Sequence, residues 1–431
     1  FNGEIYNFKI LKKQLEDQGI FFSTTSDTEV LLKLYEIKGK NFINDLEGMF
    51  AIAILDQKNG DLFLARDRFG TKPLYILEYK NILYFTSEIK AFLPFVIYAN
   101  IPWEINEDFL VEQMMYRHIA GENTLLKKVL KVKPGTFIEY KNGSLKKKEY
   151  YNYAKDKQKV KIKSINEYIE SIEENLSNSI KNNLISDAPL GFSLSGGLDS
   201  SLLIAIARKK LNLEKIKTYA VAFNEKFIPV SKGEIVDGYP IGTGGKMIDE
   251  SIYSNQVSKI FETDHKKIIL DEKIFSDLFS RAVWHNDGPL NFPNSVALFY
   301  LSNIASKDVK VLLGGEGADE IFGGYPDFQK KIDLSTRNYG SASTINKVIS
   351  NKKLNLKYIK ELINEKSLSN LDNKINYFYY TQLQTVQTRL DKMSMAFGIE
   401  SRVPYLNNDL LKAAKELPDN MKINGSIAKY I

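Results

Sequence analysis

Two stretches of the chain place residue types at spacings suited to phosphate and metal chemistry. Leu190 to Ser201 reads Leu-Gly-Phe-Ser-Leu-Ser-Gly-Gly-Leu-Asp-Ser-Ser. Leu190 to Leu194 is mostly apolar and predicts a short buried strand, and the apolar run Leu198 to Ala207 predicts a helix. Ser195, Gly196 and Gly197 form the turn between them, and Asp199 and Ser200 fall in the first helical turn. A helix N-terminus carries unpaired N–H groups and partial positive charge, so it suits an anion. Gly196 and Gly197 let the backbone approach a phosphate with no Cβ in the way. Ser195, Ser200 and Ser201 add hydroxyl donors, while Asp199 would repel a bare phosphate and points to a divalent cation between them. A serine-capped tight turn is the plainer alternative, but it needs only a fraction of this pattern. The second stretch, Val311 to Tyr325, reads Val-Leu-Leu-Gly-Gly-Glu-Gly-Ala-Asp-Glu-Ile-Phe-Gly-Gly-Tyr. It sets Glu316, Asp319 and Glu320 in a glycine-rich loop after a buried strand. Carboxylates gathered beside a phosphate site suggest Mg²⁺, which prefers oxygen ligands. Acids at an ordinary helix start are the alternative, and the glycines on both sides favour the functional reading.

The elements around these stretches alternate. Ile216–Phe223 and Lys267–Leu270 read as strands, Asp249–Phe261 and Ser295–Ala305 as helices, and Val309–Leu313 as a further strand. Such alternation predicts a parallel sheet flanked by helices, with ligands gathering at the carboxyl ends of its strands. Residues 224–246 interrupt it with a glycine- and proline-rich loop. Ser164–Asn183 is amphipathic and is read as the entry helix of this domain. Upstream lies an α+β segment. Leu11 and Leu15 mark a first helix ending at Gly19, and Ser26 or Asp27 caps a second. Met49–Leu55 and Leu62–Arg66 flank Asn59-Gly60, a hairpin signal. Tyr75–Tyr79 and Ile82–Thr86 form another hairpin, and Ser87–Leu93 starts a short helix. Residues 95–153 read as a connector, with turns at 133–136 and 142–143 around one strand. Lys146-Lys147-Lys148 reads as a solvated edge and His118 as structural. Residues 326–400 read as mostly helical.

Bulk properties bound the answer. A chain of 431 residues suggests two or three domains. Its 43% hydrophobic content suffices for cores. A net charge of +6 from 59 basic and 53 acidic residues is near balance and argues only weakly for nucleic acid. No apolar run approaches the ~20 residues of a membrane span, and no signal peptide opens the chain. A cytoplasmic protein with no nucleic-acid or membrane partner is therefore expected. The absence of cysteine excludes disulfides, thiolate metal sites and a cysteine nucleophile within the 431 residues. The chain begins at Phe1 and ends at Ile431 in an expected helix start, so it is read as a piece of a longer polypeptide.

Ser-Gly-Gly-Leu-Asp-Ser-Ser lacks the lysine of a Walker loop and resembles the PP-loop of ATP pyrophosphatases, which cleave ATP between the α and β phosphates. Asn2-Gly3-Glu4-Ile5-Tyr6-Asn7, Ser26-Asp27-Thr28-Glu29, Gly48-Met49-Phe50-Ala51, Ala65 to Tyr75 and Thr86 to Ala91 resemble the glutaminase domain of the glutamine-hydrolysing asparagine synthetases. Val311–Tyr325, Thr388–Lys392 and Glu400–Leu406 resemble that family's synthetase domain. The resemblance implies an incomplete α+β N-terminal-nucleophile hydrolase domain followed by an α/β PP-loop ATP pyrophosphatase domain with a parallel sheet. It divides the chain into a partial glutamine amidotransferase domain at 1–95, a connector at 96–155 and a synthetase domain at 156–431, partial at its C-terminus. In the family an N-terminal cysteine attacks glutamine. Either the sequence begins downstream of that cysteine or the glutaminase is degenerate, and the first is favoured. Asn2 and Gly3 would form the oxyanion hole, and Glu4 and Asp27 would hold the amino group of glutamine. A plain type I′ turn at Asn2-Gly3 and a helix cap at Asp27 are the alternatives. Leu194, Val221, Gly314 and Gly315 would contact the nucleotide together with Ser195, Gly196, Gly197, Leu198, Asp199, Ser200 and Ser201. Asp199 and Asp319 would lie near Mg²⁺, Glu316 would help form an acyl-adenylate, and Lys429 would face pyrophosphate. Arg389, Lys392 and Arg402 are candidate anion contacts, with ion pairs as the alternative. His285 or Asp287 would face the acceptor unless the segment is a structural turn. His265 reads as a strand-edge residue. Many relatives carry Ser where this chain has Gly314.

The implied function is ATP-dependent synthesis of asparagine from aspartate, with ammonia from glutamine, through β-aspartyl-adenylate. ATP and Mg²⁺ are the implied cofactors, and relatives suggest a homodimer that no residue pattern here shows. Three alternatives stay open: the same chemistry on another carboxylate such as a sugar acid, a tRNA-modifying PP-loop enzyme, and an ATP-binding regulator without catalysis.

Overall fold

A computed structural model describes residues 1–156, 158, 160, 163–223, 235–236, 239–240, 251–292, 294–329 and 369–431. It divides into two compact units, Phe1–Glu104 with Gly121–Lys157, and Ile105–Ala120 with Gln158–Ile431.

In the first unit, neighbouring side chains along the central strands enter different cores. Strands β1 (Asn2–Ile5), β2 (Gly48–Asp56), β3 (Asp61–Arg66), β7 (Thr136–Lys141) and β8 (Ser144–Glu149) form one antiparallel sheet in the order β1-β2-β3-β7-β8. Strands β4 (Tyr75–Tyr79), β5 (Ile82–Thr86) and β6 (Val129–Lys131) form a second. Phe50, Ile52, Phe63, Ala65 and Phe137 pack against Leu11 and Leu15 of α1 (Phe8–Glu16) and Val30, Leu31 and Leu34 of α2 (Asp27–Lys38). Their neighbours Ala51, Leu64 and Ile138 face the second sheet through Leu74, Ile76 and Val132. The period of two thus produces a helix–sheet–sheet arrangement. On the far side of the second sheet, α3 (Leu93–Tyr98) contributes Val96 beside Phe92.

The region expected as a connector is divided between the units. Strands β6, β7 and β8 complete the two sheets of the first unit, because Phe137 and Ile138 alternate between its cores. The tri-lysine run lies on β8, at the sheet's edge, as a solvated strand. Helix α4 (Glu107–Tyr116) and buried His118 belong to the second unit, where the His118 ring packs near Tyr116 and Tyr377.

The second unit opens on α5 (Ile165–Asn183). Ser164 caps it by accepting from Glu167 N–H while the Glu167 carboxylate takes the Ser164 N–H, a complete capping box. Strands β9 (Leu190–Ser193), β10 (Lys217–Phe223), β11 (Asp264–Leu270), β12 (Val311–Leu313) and β13 (Glu400–Arg402) make a wholly parallel sheet in the order β11-β10-β9-β12-β13. Helices α6 (Leu198–Lys209), α7 (Ser251–Ile260), α8 (Glu272–Asn286) and α9 (Ser295–Ala305) supply its connections. Leu301 and Ala305 of α9 pack on Tyr219, Ile268 and Leu312. The sequence order reverses between β9 and β12, so a crevice opens beyond their carboxyl ends. The expected 224–246 loop lies outside the described residues apart from a two-residue ladder, Ile235–Val236 with Tyr239–Pro240. At the chain's end, where a helix start was expected, Ile427–Ala428 pairs with Ile423–Asn424 in a tight hairpin around Gly425, whose positive φ suits the turn.

Candidate functional site

Both chemistry-bearing loops leave adjacent strands at that crevice. Leu194 is fully buried and donates its N–H to the Tyr219 carbonyl, extending β9 by one residue. Gly196 then turns with φ +86, and Gly197 caps α6. A Cβ on Gly196 would run into the Ser254 N–H and the Tyr253 Cβ, so α7 abuts the turn. The hydroxyls of Ser195 and Ser200 lie 3.0 Å apart, and Ser195 Oγ accepts from Gly197 N–H. Ser200 Oγ also donates to the Gly197 carbonyl. Ser201 Oγ is shielded from solvent and has no partner among the described residues. Leu198 is exposed and Val221 half-buried on β10.

The loop after β12 closes on this turn. A Cβ on Gly315 would come within 3.0 Å of Asp199 Cβ and Ser200 N. Gly314 leaves room for the Glu316 carboxylate to fold back over it, since a Cβ there would collide with Glu316 Oε2. A serine at 314 would therefore displace the flexible Glu316 side chain rather than the backbone. Asp319 begins the short helix α10 (Ala318–Phe322) with buried Glu320. Burial pushes Glu320 up to about 7, opposed by the hydrogen bond from the Tyr325 hydroxyl at 2.8 Å.

Lys429 reaches this crevice from the C-terminal hairpin. Its Nζ lies 2.6 Å from Asp199 Oδ2 and 2.5 Å from Asp319 Oδ1. Burial lowers the lysine's proton affinity, but Asp319 and Asp199 outweigh it and raise the pKa. Asp199 is raised by burial against the pull of Lys429. Two carboxylates converging on one point are a donor pair that fits a hard divalent cation. Among the described residues no group of three or more His, Cys, Asp or Glu could hold a metal. Two carboxylates by themselves fall short of the oxygen ligands such an ion takes.

Sequence reasoning missed the support behind these groups. Tyr405 hydroxyl donates to the Asp199 carbonyl across 206 residues, a distance that leaves no local signal. Gly317, at φ +92, makes room for Leu406. Among the candidate cations, Lys392 is ion-paired with Asp287 at 2.8 Å, and both side chains are almost fully buried. Asp287 ends α8 in a left-handed turn. His285 packs against Phe299. Arg402 is buried and donates to the carbonyls of Asn183 and Ile185 and to Glu400. Arg389 donates to Asn294 Oδ1 at 2.7 Å and lies over Phe292. His265 Nδ1 lies 2.9 Å from Thr218 Oγ1 on edge strand β11.

In the first unit, Gly3 has φ +146 and packs so close to β2 that a Cβ would collide with the Met49 carbonyl. Asn2 Nδ2 donates to Ser87 Oγ at 3.3 Å. Asp27 Oδ2 accepts from the Ile5 N–H, tying the start of α2 to β1, while Ser26 caps α2. Glu4 lies on β1, half-buried, between Gly3 and Ile5. The strand therefore brings Asn2, Gly3, Glu4 and Asp27 into one neighbourhood. Asp67 is fully buried and accepts from the N–H groups of Phe50, Phe69, Thr71 and Lys72, and Arg66 donates to three carbonyls. The Ala65–Tyr75 block is thus a buried scaffold.

Comparison with known proteins finds two family models along the chain. The asparagine synthase family model matches residues 171–431, and the glutamine amidotransferase domain model matches residues 1–151. A glutamine-hydrolysing asparagine synthetase of Bacillus subtilis strain 168 is 29% identical over all of this chain and 71% of its own length. A second from the same organism, also 29% identical, is again covered over 71%. A protein of Gibberella zeae named amidase chry2 is 29% identical over 76% of this chain and 47% of its own length. The relatives named as glutamine-hydrolysing asparagine synthetases are ligases, and this chain is an enzyme of their kind. With a glycine turn at a helix start on a parallel sheet, preceded by an antiparallel glutaminase fold, and with both family models matched along its length, the chain belongs to the asparagine synthase family.

Proposed function

We propose that this protein makes asparagine from aspartate, using ATP and ammonia released from glutamine. The observation that carries the reading is the meeting of two loops at the sheet's switch point, where Asp199, Asp319 and Lys429 converge. A carboxylate cannot be amidated directly, because ammonia does not displace an oxide ion. Attack of the aspartate side-chain oxygen on the α-phosphorus forms an acyl–phosphate bond and breaks the α–β bridge, releasing pyrophosphate. Ammonia then attacks the acyl carbon, and AMP departs with the bonding electrons. The Ser195–Ser201 turn would hold the phosphates through its hydroxyls and helix N–H groups. Leu194, Val221, Gly314 and Gly315 would line the nucleotide, and Glu316 would orient the acceptor as the adenylate forms. Lys429 would move from its carboxylates to offset charge on the departing pyrophosphate. Asp199 and Asp319 would hold Mg²⁺, which supplies neutralisation of phosphate charge. Asn2 and Gly3 would stabilise the oxyanion during glutamine hydrolysis, with Glu4 and Asp27 binding the amino acid.

The test is pyrophosphate release with ATP, Mg²⁺, ammonium and aspartate. Aspartate-dependent release, abolished by Asp199→Ala, is expected. Release that ignores aspartate overturns the acceptor while leaving the nucleotide chemistry. A second reading is the same reaction on a different carboxylate. Other carboxylates in the same assay separate the two.

A further inference from the structure

Three cations stand near the closing blocks of the chain, and the fold accounts for two of them. Lys392 is neutralised by Asp287. Arg402 spends its donors on Asn183, Ile185 and Glu400. Arg389 differs from both. Among the described residues its Nη1 meets a neutral amide oxygen, Asn294 Oδ1, and its guanidinium faces the ring of Phe292 at 5.2 Å. Its Nε is shielded from solvent without a partner, and no carboxylate lies in ion-pair reach of it among the described residues. Shielding part of a guanidinium without a counter-anion is unfavourable, and the group cannot discharge by losing its proton. The arrangement suits an anion.

Position decides which anion. The phosphate end of the crevice is marked by Asp199, Asp319 and Lys429. Arg389 is placed instead by Asn294 Oδ1 and the ring of Phe292, and it feels the charge of Glu316 most among its neighbours. Glu316 is the residue that folds back over Gly314, and its Oε2 is also shielded and unpartnered among the described residues. Arg389 therefore belongs to the acceptor side of Glu316. A planar fork of N–H donors matches a carboxylate in two-point contact.

We propose that Arg389 anchors the non-reacting carboxylate of the acceptor, making the enzyme selective for a dicarboxylate. This rests on the acceptor reading above. Arg389 would be a specificity residue that touches substrate without taking part in bond making.

The test compares matched acceptors in the ammonium-supported pyrophosphate assay. L-Aspartate and succinate carry a second carboxylate, whereas β-alanine and butyrate lack it. Arg389→Gln should raise KM for aspartate and succinate about 30-fold, the worth of a charge-assisted contact. KM for ATP and for β-alanine should stay within about twofold. Arg389→Lys should recover part of the loss, since it restores charge without the fork. An unchanged aspartate KM in Arg389→Gln overturns the inference and leaves the acceptor reading intact. An equal loss for aspartate and β-alanine, or a raised KM for ATP, also overturns it by assigning Arg389 to structure or to the nucleotide. A wild-type enzyme that uses none of the four acceptors overturns both readings.

Discussion

The Lys392 ammonium lies 2.8 Å from Asp287, with the two side chains 2% and 1% exposed. Removing either partner alone strands a buried charge, which costs about 3–5 kcal/mol. Lys392→Met should therefore lower stability by that amount in urea denaturation. Lys392→Met combined with Asp287→Asn should recover most of it, because no buried charge is left and Asn tolerates the left-handed backbone at 287. In the sequence, Lys392 and an acid before Pro289 suggest substrate contacts. Their separation hides that they satisfy one another. His265 gives a second residue-scale test. Burial, helped by nearby Lys267, pulls its pKa below the ordinary 6.5. A histidine depressed in the fold contributes stability above its unfolded pKa and loses it as pH falls through that value toward the folded one. With three histidines in the chain, the contribution is assignable. The urea midpoint should fall less between pH 7 and pH 5 in His265→Asn than in wild type. An identical acid loss in both would show that the ring titrates normally.

At the scale of elements, the phosphate turn depends on a helix far downstream of it. Gly196 adopts φ +86, and a Cβ would meet the Ser254 N–H and Tyr253 Cβ at the start of α7. Gly196→Ala must therefore strain the turn and push α7 away, costing about 2 kcal/mol. Nucleotide affinity should fall by more than about tenfold through lost preorganisation of the donors, readable by titration with a non-hydrolysable ATP analogue. Unchanged affinity would mean that the turn reshapes without cost. Much of this architecture is legible in the sequence. The Tyr75–Tyr79 and Ile82–Thr86 hairpin, the capped α5 and the helix Ser295–Ala305 follow from local periodicity and caps. The strands β6 to β8 are less so, because a strand's sheet is chosen by packing partners distant in sequence. Phe137 joins the core of α1 and α2, and Ile138 the opposite one. Residues 370–395 read as helical, but the π-helical turn Tyr379–Leu383 within them has no signature in periodicity. Such turns recur beside functional sites, and this one precedes Arg389 on the same helical run.

For the whole molecule, the proposed function divides the chemistry between the two units, and the amide donor allows them to be tested apart. The first unit carries Asn2, Gly3, Glu4 and Asp27, and the second carries Asp199, Asp319 and Lys429. Ammonium added in solution bypasses the first set. Asp27→Asn and Asn2→Ala should then leave ammonium-supported pyrophosphate release within about twofold of wild type, since neither residue acts in the transition state of that reaction. Asp199→Ala should abolish it. Glutamine presents the opposite case. Its amide must be cleaved by a nucleophile, and the 431 residues contain no cysteine. Glutamine should therefore fail to replace ammonium when these 431 residues are assayed alone, even at saturating ATP and aspartate. Fusing a cysteine-bearing segment ahead of Phe1 should restore glutamine use, and the restored activity should be sensitive to Asp27→Asn while the ammonium rate is not. Glutamine-supported release by the 431 residues without that addition would require a different nucleophile in the first unit and would redraw the role of Asn2 and Gly3.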